Sequence, residues 1–257
     1  MRALLFAEED ETVVQFLTAG DAALPPLIEV AVKVGNEEII RVVKPPDMDE
    51  LWTWYVQTGN MEADPSWGKL WETSKALAAN IVDGTNALVS VNGKRVAELG
   101  CGLGLVGLAA AKSGAASVIF CDREPFAIHC ALSSAAVSGL IVVAVQDLAD
   151  AEAGACSGSL LDWADPQALG QGIDLIVAAD CLYDPATAAL LAGCCAGLVQ
   201  GKGTVVIAEP EKERAIGCRA AFLNAAKAAG ATKTEILPLP ASSIGHPPSV
   251  LVVASWE

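Results

Sequence analysis

The chain reads Val96-Ala97-Glu98-Leu99-Gly100-Cys101-Gly102-Leu103-Gly104-Leu105-Val106-Gly107-Leu108 a little before its midpoint. The first four residues are an apolar run of the length and content of a buried parallel strand. Glycines then occupy alternate positions, and an alanine- and leucine-rich segment continues to Lys112. A strand, a glycine turn and a helix let the backbone pass close to a bulky ligand, which the helix N-terminus faces. The stretch therefore predicts a ligand-binding unit.

Two classes of ligand fit this turn. The spacing Gly102-x-Gly104-x-x-Gly107 matches the dinucleotide fingerprint, and Asp122 follows at a distance usable for a ribose hydroxyl. The longer pattern from Glu98 to Gly104 instead resembles motif I of seven-strand S-adenosylmethionine (SAM) methyltransferases. SAM has no pyrophosphate and carries a cationic sulfonium, which a carboxylate attracts, whereas the same carboxylate repels a phosphate. A glycine-rich turn without any ligand is the third interpretation of this stretch.

The composition and net charge of the chain limit the partners that we expect it to bind. The 257 residues suffice for one large α/β domain, and 16 basic against 31 acidic residues give a formal charge of −15. A strongly acidic surface disfavours nucleic acid and anionic membranes, because their phosphates bind mainly Lys and Arg. It is compatible with a basic partner such as a lysine-rich protein segment, although acidity also serves solubility alone. We expect a monomer without a nucleic-acid or membrane partner.

The cysteines and histidines indicate no metal site. None of the eight cysteines forms a CxxC pair, and most lie in apolar contexts, so they are interpreted as buried free thiols of a reducing, cytoplasmic compartment. The two histidines are far apart, which disfavours zinc. The acidic N-terminus is typical of neither a signal nor a transit peptide. The uncharged stretch 125–146 contains His129 and several serines, and we interpret it as a helix and a turn rather than a membrane span.

The sequence of the first third of the chain predicts a β-hairpin and short helices. We expect a helix and a loose lead-in over residues 1–24, then a β-hairpin of strands 28–34 and 39–43 with a tight primed turn at Gly35-Asn36. Asp47 is predicted to cap a short helix that carries Leu51, Trp52, Trp54 and Tyr55. The stretch 66–82 predicts a second helix with Leu70 and Trp71 on one side, which by default is core packing.

From Arg95 onward, strands alternate with helices. This alternation predicts an α/β fold with a doubly wound, mostly parallel seven-stranded sheet, and a final strand pair without a helix predicts one antiparallel edge. Residues 139–156 are ambiguous, since 141–143 is strand-like and 150–158 is small and flexible. We interpret that segment as an insertion that precedes a strand just before Asp162. The other predicted strands are 95–99, 117–122, 174–180, 204–208, 235–239 and 249–256, and the predicted helices are 104–113, 125–137, 185–199 and 212–229.

Four candidate sites fall at strand ends, where open α/β sheets bind ligands. They are the glycine turn, Asp122, Asp162-Trp163 and the pair Asp180 and Tyr183. Asp122 suits the ribose of NAD or of SAM, and it equally suits the cap of the following helix. Asp162-Trp163 offers an acceptor and a flat ring, as an adenine requires, but a Trp packed on the sheet rim explains it as well. Asp180 is also interpretable as a helix cap or a solvated acid.

Together these motifs resemble one family, the seven-strand protein-lysine methyltransferases (methyltransferase family 16), over about residues 66–256. The matching positions are Leu70-Trp71, Glu98 to Gly107, Asp122, Leu161-Asp162-Trp163 and Asp174 to Asp180 with Tyr183. The resemblance implies a class I methyltransferase domain over 66–257, on which residues 1–65 pack as an extension of hairpin and short helices. The segment 209–214, Glu-Pro-Glu-Lys-Glu-Arg, departs from the more aromatic and basic stretch of many relatives.

The resemblance also implies roles for individual residues. Trp71 packs near the methionine end of SAM, Asp122 holds the ribose, and Trp163 packs on the adenine beside the acceptor Asp162. Ala179 approaches the cofactor through its backbone, and Asp180 and Tyr183 face the target amine as the catalytic pair. The residues that line the cofactor at the turn are Glu98, Gly100, Cys101, Gly102 and Gly104.

The expected activity is therefore SAM-dependent N-methylation of a lysine in a protein substrate. A carboxylate stabilises an ammonium ion and so opposes its deprotonation, which makes Asp180 a positioning group first and a base second. Three alternatives stay open at this point. They are an NAD(P)-dependent oxidoreductase, a SAM-dependent methyltransferase of a small molecule or histidine, and a non-catalytic SAM-binding interaction module.

Overall fold

The structure is a computed structural model, and it describes residues 25–147, 152–166 and 172–257. Its strands are β1 (Ile28–Lys33), β2 (Ile39–Lys44), β3 (Arg95–Leu99), β4 (Ser117–Asp122), β5 (Ala155–Leu160), β6 (Leu175–Ala179), β7 (Gly203–Pro210), β8 (Lys233–Pro238) and β9 (Ser249–Trp256). Its helices are α1 (Met48–Gln57), α2 (Glu72–Asp83), α3 (Leu105–Lys112), α4 (Pro125–Val137), α5 (Pro185–Val199) and α6 (Cys218–Ala228). The helix expected over residues 1–24 lies outside the described residues.

Seven strands form one sheet in the order β5-β4-β3-β6-β7-β9-β8, which confirms the predicted fold class. The pairs from β5 to β7 are parallel, with Val96 opposite both Val118 and Leu175. From β3 the chain adds β4 and β5 on one side and then β6 and β7 on the other. The strand order thus reverses between β3 and β6, and such a reversal opens a crevice at the carboxyl ends of the strands.

The far edge of the sheet is antiparallel, as predicted. β9 pairs with β7 from Ser249 opposite Pro210 to Trp256 opposite Gly203, and β8 pairs with the other side of β9. No helix separates β8 from β9 in the chain, so the two strands can only return antiparallel.

Alternate residues of the buried strands supply two apolar layers. Val96 lies in one layer with side chains of α2, α3, α4 and the β1–β2 hairpin, whereas Ala97 and Leu99 lie in the other layer with α5 and α6. This two-sided burial explains why β3 and β4 are nearly continuous apolar runs. No helix in the described ranges is both long and apolar enough to cross a membrane.

The predicted hairpin is confirmed, but its predicted primed turn is wrong. β1 and β2 are joined through residues 34–38, where Val34 donates its N–H to the carbonyl of Glu38 at 3.0 Å, and neither Gly35 nor Asn36 has a positive φ. A primed turn requires a positive φ at its central residues. Gly35 instead lets the hairpin connection pack closely against α2, because a Cβ there would lie 2.9 Å from Cγ1 of Val82.

The hairpin is bonded to α4. The N–H of Val43 donates to Ser134 Oγ at 2.8 Å, and the guanidinium of Arg41 donates to the carbonyl of Val137 at 3.0 Å. Asp47 caps α1 by accepting from the N–H of Glu50 at 2.8 Å, as predicted. The extension therefore contacts helix α4 through specific hydrogen bonds. The domain boundary between residues 65 and 66 stays a prediction.

The helix predicted over 66–82 is too long at its start. Residues Pro65–Gly68 form a single 3₁₀ turn capped by Asp64, the chain is extended at Lys69, and α2 begins at Glu72 with Trp71 as its N-cap. Gly68 lies against α1, where a Cβ would be 2.8 Å from Cδ2 of Leu51. This packing holds the chain in a short turn and places Trp71 outside the helix.

The strand predicted just before Asp162 is confirmed as β5, but the interpretation of residues 139–156 as an insertion needs correction. β5 begins at Ala155 and contains Gly158, so part of the stretch expected to be flexible is a sheet strand. Residues 141–143 only flank it, with hydrogen bonds from Val143 N–H to Cys156 and from Cys156 N–H to Ile141. The small side chains have a packing reason, because a Cβ on Gly158 would lie 2.4 Å from Cγ2 of Ile128 on α4.

The helix predicted from Lys212 begins only at Cys218. Residues 211–217 form a loop, because the carboxylate of Glu213 accepts from the N–H groups of Gly217 at 3.3 Å and Arg219 at 2.9 Å. These bonds satisfy free N–H groups at the start of α6, so the helix begins after Glu213 and not before it. The correction matters for the site, since this loop carries Arg214.

Candidate functional site

A cavity of about 540 Å³ opens at the carboxyl ends of β3, β4, β5 and β6, a volume in the range of small-molecule sites. It brings together eleven of the twelve residues predicted from the sequence. They are Trp71, Glu98, Gly100, Cys101, Gly102, Asp122, Asp162, Trp163, Ala179, Asp180 and Tyr183. Gly104 is the exception, since it does not line the cavity and serves as the N-cap of α3.

The glycine turn approaches its neighbours too closely for side chains. Gly100, Gly102 and Gly104 have φ angles of 59°, 50° and 75° in the left-handed region. A Cβ on Gly100 would lie 2.9 Å from Cys181 Sγ, and one on Gly102 would lie 3.0 Å from the carbonyl oxygen of Trp67. The turn is therefore held between the end of β6 and the 3₁₀ segment that precedes α2.

Glu98 lies beneath this turn and is almost completely buried. Its Oε2 accepts the N–H of Gly107 in the first turn of α3 at 2.7 Å. Burial raises the pKa of the Glu98 carboxyl to about 8, although the backbone hydrogen bonds oppose that shift. A helix N–H that a pyrophosphate would need is thus already occupied by a carboxyl group.

Asp122 ties the end of β4 to the glycine turn. Its Oδ2 accepts from Gly102 N–H at 2.9 Å and its Oδ1 accepts from Glu124 N–H at 3.0 Å. The N-cap of α4 is Glu124 itself, so Asp122 is not the helix-capping residue. Burial raises the pKa of the Asp122 carboxyl. Each carboxylate oxygen keeps a second lone pair, which leaves acceptors for ligand hydroxyls.

The end of β5 supplies a ring and an exposed acid. Trp163 is half-buried and packs against the layer that contains α5. Asp162 is exposed, and its carboxylate accepts the N–H of Ala164 at 2.8 Å. Leu161 is buried and completes the wall on this side. The combination provides an apolar face next to hydrogen-bond acceptors.

At the opposite end, Asp180 is held by two other side chains. Its Oδ2 accepts from Thr73 Oγ1 on α2 at 3.0 Å, and Arg214 donates to it in bidentate fashion, with Nε bonded to Oδ1 and Nη2 at 2.7 Å from Oδ2. The side chain of Asp180 is only 4% exposed, and that of Arg214 is 40% exposed. Asp180 also has a φ of 61°, a left-handed conformation that is uncommon outside glycine.

Trp71 packs against two basic side chains, those of Lys69 and Arg214. The guanidinium of Arg214 lies 4.7 Å from the centre of the Trp71 ring, and the ammonium of Lys69 lies 4.4 Å from it. The bond to Asp180 raises the pKa of Arg214, so its charge is permanent. Tyr183 is half-exposed at the cavity wall, and partial burial raises the pKa of its phenol.

Glu209 fixes the loop that follows Asp180. It is buried at the end of β7, and its Oε1 accepts the N–H groups of Cys181 at 2.9 Å and Leu182 at 3.0 Å. Burial raises the pKa of the Glu209 carboxyl to about 7. These bonds hold the chain in the strained turn at Asp180.

Several residues of the site are not among those predicted from the sequence. Glu209 is singled out there only as part of a departure from the family pattern, although an acid at the end of a strand is the same signal that singles out Asp122. Thr73 and Arg214 offer no local signal, because each meets Asp180 from a distant part of the chain. The cavity-lining residues without a predicted role include Trp67, Lys69, Ser74, Arg123 and Thr187.

Comparisons with known proteins agree with this geometry. A family profile described as lysine methyltransferase matches residues 56–227. Magnesium protoporphyrin IX methyltransferase from Synechocystis PCC 6803, solved with bound SAM, is 16% identical, with a TM-score of 0.50 over 82% of this chain and 97% of that chain.

A further structure, described as a methyltransferase complexed with S-adenosylhomocysteine (SAH), is 12% identical and has a TM-score of 0.55 over 91% of this chain and 57% of that chain. A SAM-dependent methyltransferase from Streptococcus mutans gives the same values. No curated protein matches the chain by sequence. At these identities the solved structures show the shared fold, while the profile defines the family.

Proposed function

This chain belongs to the lysine methyltransferase family, and we propose that it transfers the methyl group of SAM to the side-chain amine of a lysine in a protein. Use of SAM follows from the family and from the fold it shares with methyltransferases solved with SAM or SAH. The observation that carries the choice of an amine is the buried carboxylate of Asp180. It lies in the same cavity wall as the glycine turn, where its oxygens can accept a hydrogen bond from a nitrogen donor.

The order of the strands supports one orientation for SAM in the cavity. Strands β5, β4, β3 and β6 are consecutive neighbours, so their carboxyl ends form one row. Trp163 and Asp162 at one end of the row suit the adenine, and Asp122 suits the ribose hydroxyls. The sulfonium then falls at the glycine turn above Glu98, and the methyl group points towards the end of β6.

The methionine tail of SAM needs a cation for its carboxylate. Lys69 and Arg123 are the basic residues that line the cavity. Arg123 adjoins Asp122 and lies 3.8 Å from Asp64, which places it at the ribose part of the row. Lys69 lies against Trp71 beyond the glycine turn, where the tail extends. We therefore assign the carboxylate of the tail to Lys69.

Methyl transfer is an in-line displacement that depends mainly on alignment and on exclusion of water. Bound SAM supplies a methyl group on a positively charged sulfur. A lysine ammonium, with an ordinary pKa of about 10.4, first gives its proton to water. The nitrogen lone pair then forms the new N–C bond, the electron pair of the C–S bond stays on sulfur, and the methylated ammonium leaves. Asp180 and Tyr183 orient the nitrogen by hydrogen bonds.

The dinucleotide alternative does not fit the site. Glu98 already occupies the N–H of Gly107, which a pyrophosphate bound at this helix N-terminus would need. A dinucleotide would also leave Trp163 and the pair Asp180 and Tyr183 without a role.

The direct test incubates the protein and tritiated SAM with a cell extract, and locates the labelled residue by mass spectrometry. We expect a labelled protein with methyl groups on lysine. The variant D180A should keep its affinity for SAH in calorimetry and lose most turnover. Label on histidine or on a small molecule would contradict the lysine assignment, and a complete lack of label would favour a non-catalytic module. Loss of SAH binding together with turnover would make Asp180 a folding or cofactor residue.

A further inference from the structure

Asp180, the carboxylate expected to meet the target amine, is already neutralised by the chain itself. Arg214 reaches both of its oxygens, and Thr73 Oγ1 adds a third hydrogen bond. Bidentate pairs of this kind between guanidinium and carboxylate groups are strong and directional. With its side chain 4% exposed, Asp180 is screened little by water, so the presence or absence of its partner charge changes the field inside the cavity.

The loop that carries Arg214 is anchored. The carboxylate of Glu213 accepts two backbone N–H groups, and the guanidinium of Arg219 donates to the carbonyl groups of Pro210 and Glu211. The N–H of Glu211 donates to Pro248 at 3.0 Å. The Trp71 ring packs against the Arg214 guanidinium at 4.7 Å. These contacts hold the loop of Arg214 in place, so its guanidinium is a fixed part of the site.

The ion pair between Asp180 and Arg214 affects the protonation of an amine that binds beside it. A lone carboxylate within a few ångströms of an ammonium stabilises the charged form, which carries no lone pair and does not attack a methyl group. A carboxylate paired with a guanidinium still accepts a hydrogen bond from the amine, but the charge of the pair sums to zero. The paired state therefore provides positioning without holding the proton on the nucleophile.

We propose that Arg214 is a positioning residue of the methyl-transfer site, which fixes the Asp180 carboxylate and cancels its charge so that the target amine reaches its neutral, nucleophilic form. The proposal rests on the lysine amine of the proposed function. It gives a role to Arg214 in the segment 209–214, which departs from the family pattern and to which the resemblance assigns no role.

Other ionisable groups face the same region. Burial raises the pKa of the Cys181 thiol and of the Tyr183 phenol, so both stay neutral near pH 7. Burial brings the pKa of Glu209 to about 7, and its carboxyl lies on the far side of the turn, bonded to backbone N–H groups. Lys69 adds a positive charge above Trp71. All four groups are present in every variant below, and Glu209, which interacts electrostatically with Asp180 and Arg214, titrates below the alkaline rise that the variants compare.

The test measures the single-turnover methylation rate against pH at saturating acceptor, the acceptor being the extract protein that the wild type labels with tritiated SAM. The variant R214Q should move the alkaline rise of the rate up by about one pH unit, since a single opposite charge typically shifts a pKa by that much or more. Its rate should be about tenfold lower at pH 7 and recover at high pH. R214K, which keeps the charge, should restore most of the position of the rise.

The double variant D180N/R214Q separates charge from shape. Without either charge, its rise should return to the wild-type pH even if its maximum rate is lower. The matched control is R41Q, which removes an exposed arginine from its pair with Glu29 on the remote hairpin and should leave the profile unchanged. A rate for R214Q that is lower by the same factor at every pH would show a merely structural role and overturn the inference.

Two further measurements keep this inference distinct from the proposed function. Melting temperatures of wild type, D180N, R214Q and the double variant should be non-additive, because removing either partner leaves the other one unpaired. Additive losses would show that the pair does not form and would overturn the inference. If mass spectrometry places the label on a residue other than lysine, the proposed function is wrong; if the label is on lysine and the rise does not move, only the role of Arg214 is wrong.

Discussion

Glu98 illustrates at the scale of one residue how a ligand and a proton are coupled. The carboxyl is enclosed by protein, and burial brings its pKa to about 8, so it is mostly protonated near pH 7 in the free protein. Its folded pKa lies above the unfolded value of about 4.3. The neutral carboxyl therefore contributes stability that is complete below about pH 4 and is lost as the pH rises through about 8.

We predict that SAM binding at pH 7 releases a proton from Glu98. A sulfonium above the carboxyl stabilises its ionised form and lowers its pKa. Calorimetric titrations with SAM in two buffers of different ionisation enthalpy should show this release in the wild type. The variant E98Q keeps an acceptor for the Gly107 N–H and should show none. SAH lacks the positive charge on sulfur and serves as the control ligand. Equal proton release in wild type and E98Q would contradict the prediction.

Lys69 gives a second prediction at this scale. If its ammonium binds the carboxylate of the methionine tail, K69A should weaken SAH binding several-fold, on the order of fivefold, as expected for an exposed ion pair. It should leave 5′-methylthioadenosine unaffected, because that ligand has no amino-acid tail. Calorimetry of both ligands measures the difference, and the exposed hairpin residue Lys33, changed to Ala, is the control. Equal weakening of both ligands would place Lys69 elsewhere.

At the scale of elements, glycines decide how closely α4 and β5 approach each other. Gly158 is buried with an ordinary backbone, and its missing side chain is the space that Ile128 fills. Gly193 in α5 is exposed, and a Cβ added to it would meet no other part of the described chain within 4 Å. The two glycines therefore carry opposite expectations for the same substitution.

We predict that G158A lowers the free energy of unfolding by about 1–3 kcal/mol through overpacking. G193A should raise it by about 0.5–1 kcal/mol, because alanine loses less conformational freedom in a helix. Urea denaturation curves with a common slope measure both changes. A G158A variant as stable as the wild type would mean that β5 is not packed against α4 at this position.

The elements also show where local patterns suffice. The predictions for α4, α5, β4 and β9 match the structure at both ends, because each has a clear apolar run or a proline at its start. The predicted starts of α2 and α6, at residues 66 and 212, come before the observed starts at Glu72 and Cys218. In both cases side chains bond backbone N–H groups before or at the helix start, as Asp64 does with Ser66 and Glu213 with Arg219, and a helical pattern does not reveal these contacts.

At the scale of the whole molecule, the cavity is a product of four strands and the segment before α2. A ligand that bridges these parts binds only the folded state and stabilises it by mass action. We predict that SAH at about 100 times its dissociation constant stabilises the protein by about 2.7 kcal/mol. For a chain of this size the melting temperature should rise by roughly 5–10 °C.

NAD at the same concentration should give no rise, since Glu98 already occupies the Gly107 N–H that its pyrophosphate would need. Differential scanning calorimetry measures both ligands on the same sample. A larger rise with NAD than with SAH would contradict the orientation of the site. The variant R41Q, which lies on the remote hairpin, should respond to SAH as the wild type does.

The sequence by itself determined the alternation of strands and helices, the glycine turn above Glu98 and the acids at the ends of β4 and β6. These follow from local patterns of polarity and from backbone conformations that only glycine adopts easily. Only the tertiary structure decided that Asp180 is paired with Arg214, that Lys69 and Arg214 both lie on Trp71, and that Gly104 stays outside the cavity. The physical reason is that such pairs join residues far apart in the chain, and their geometry depends on how the sheet and its loops pack.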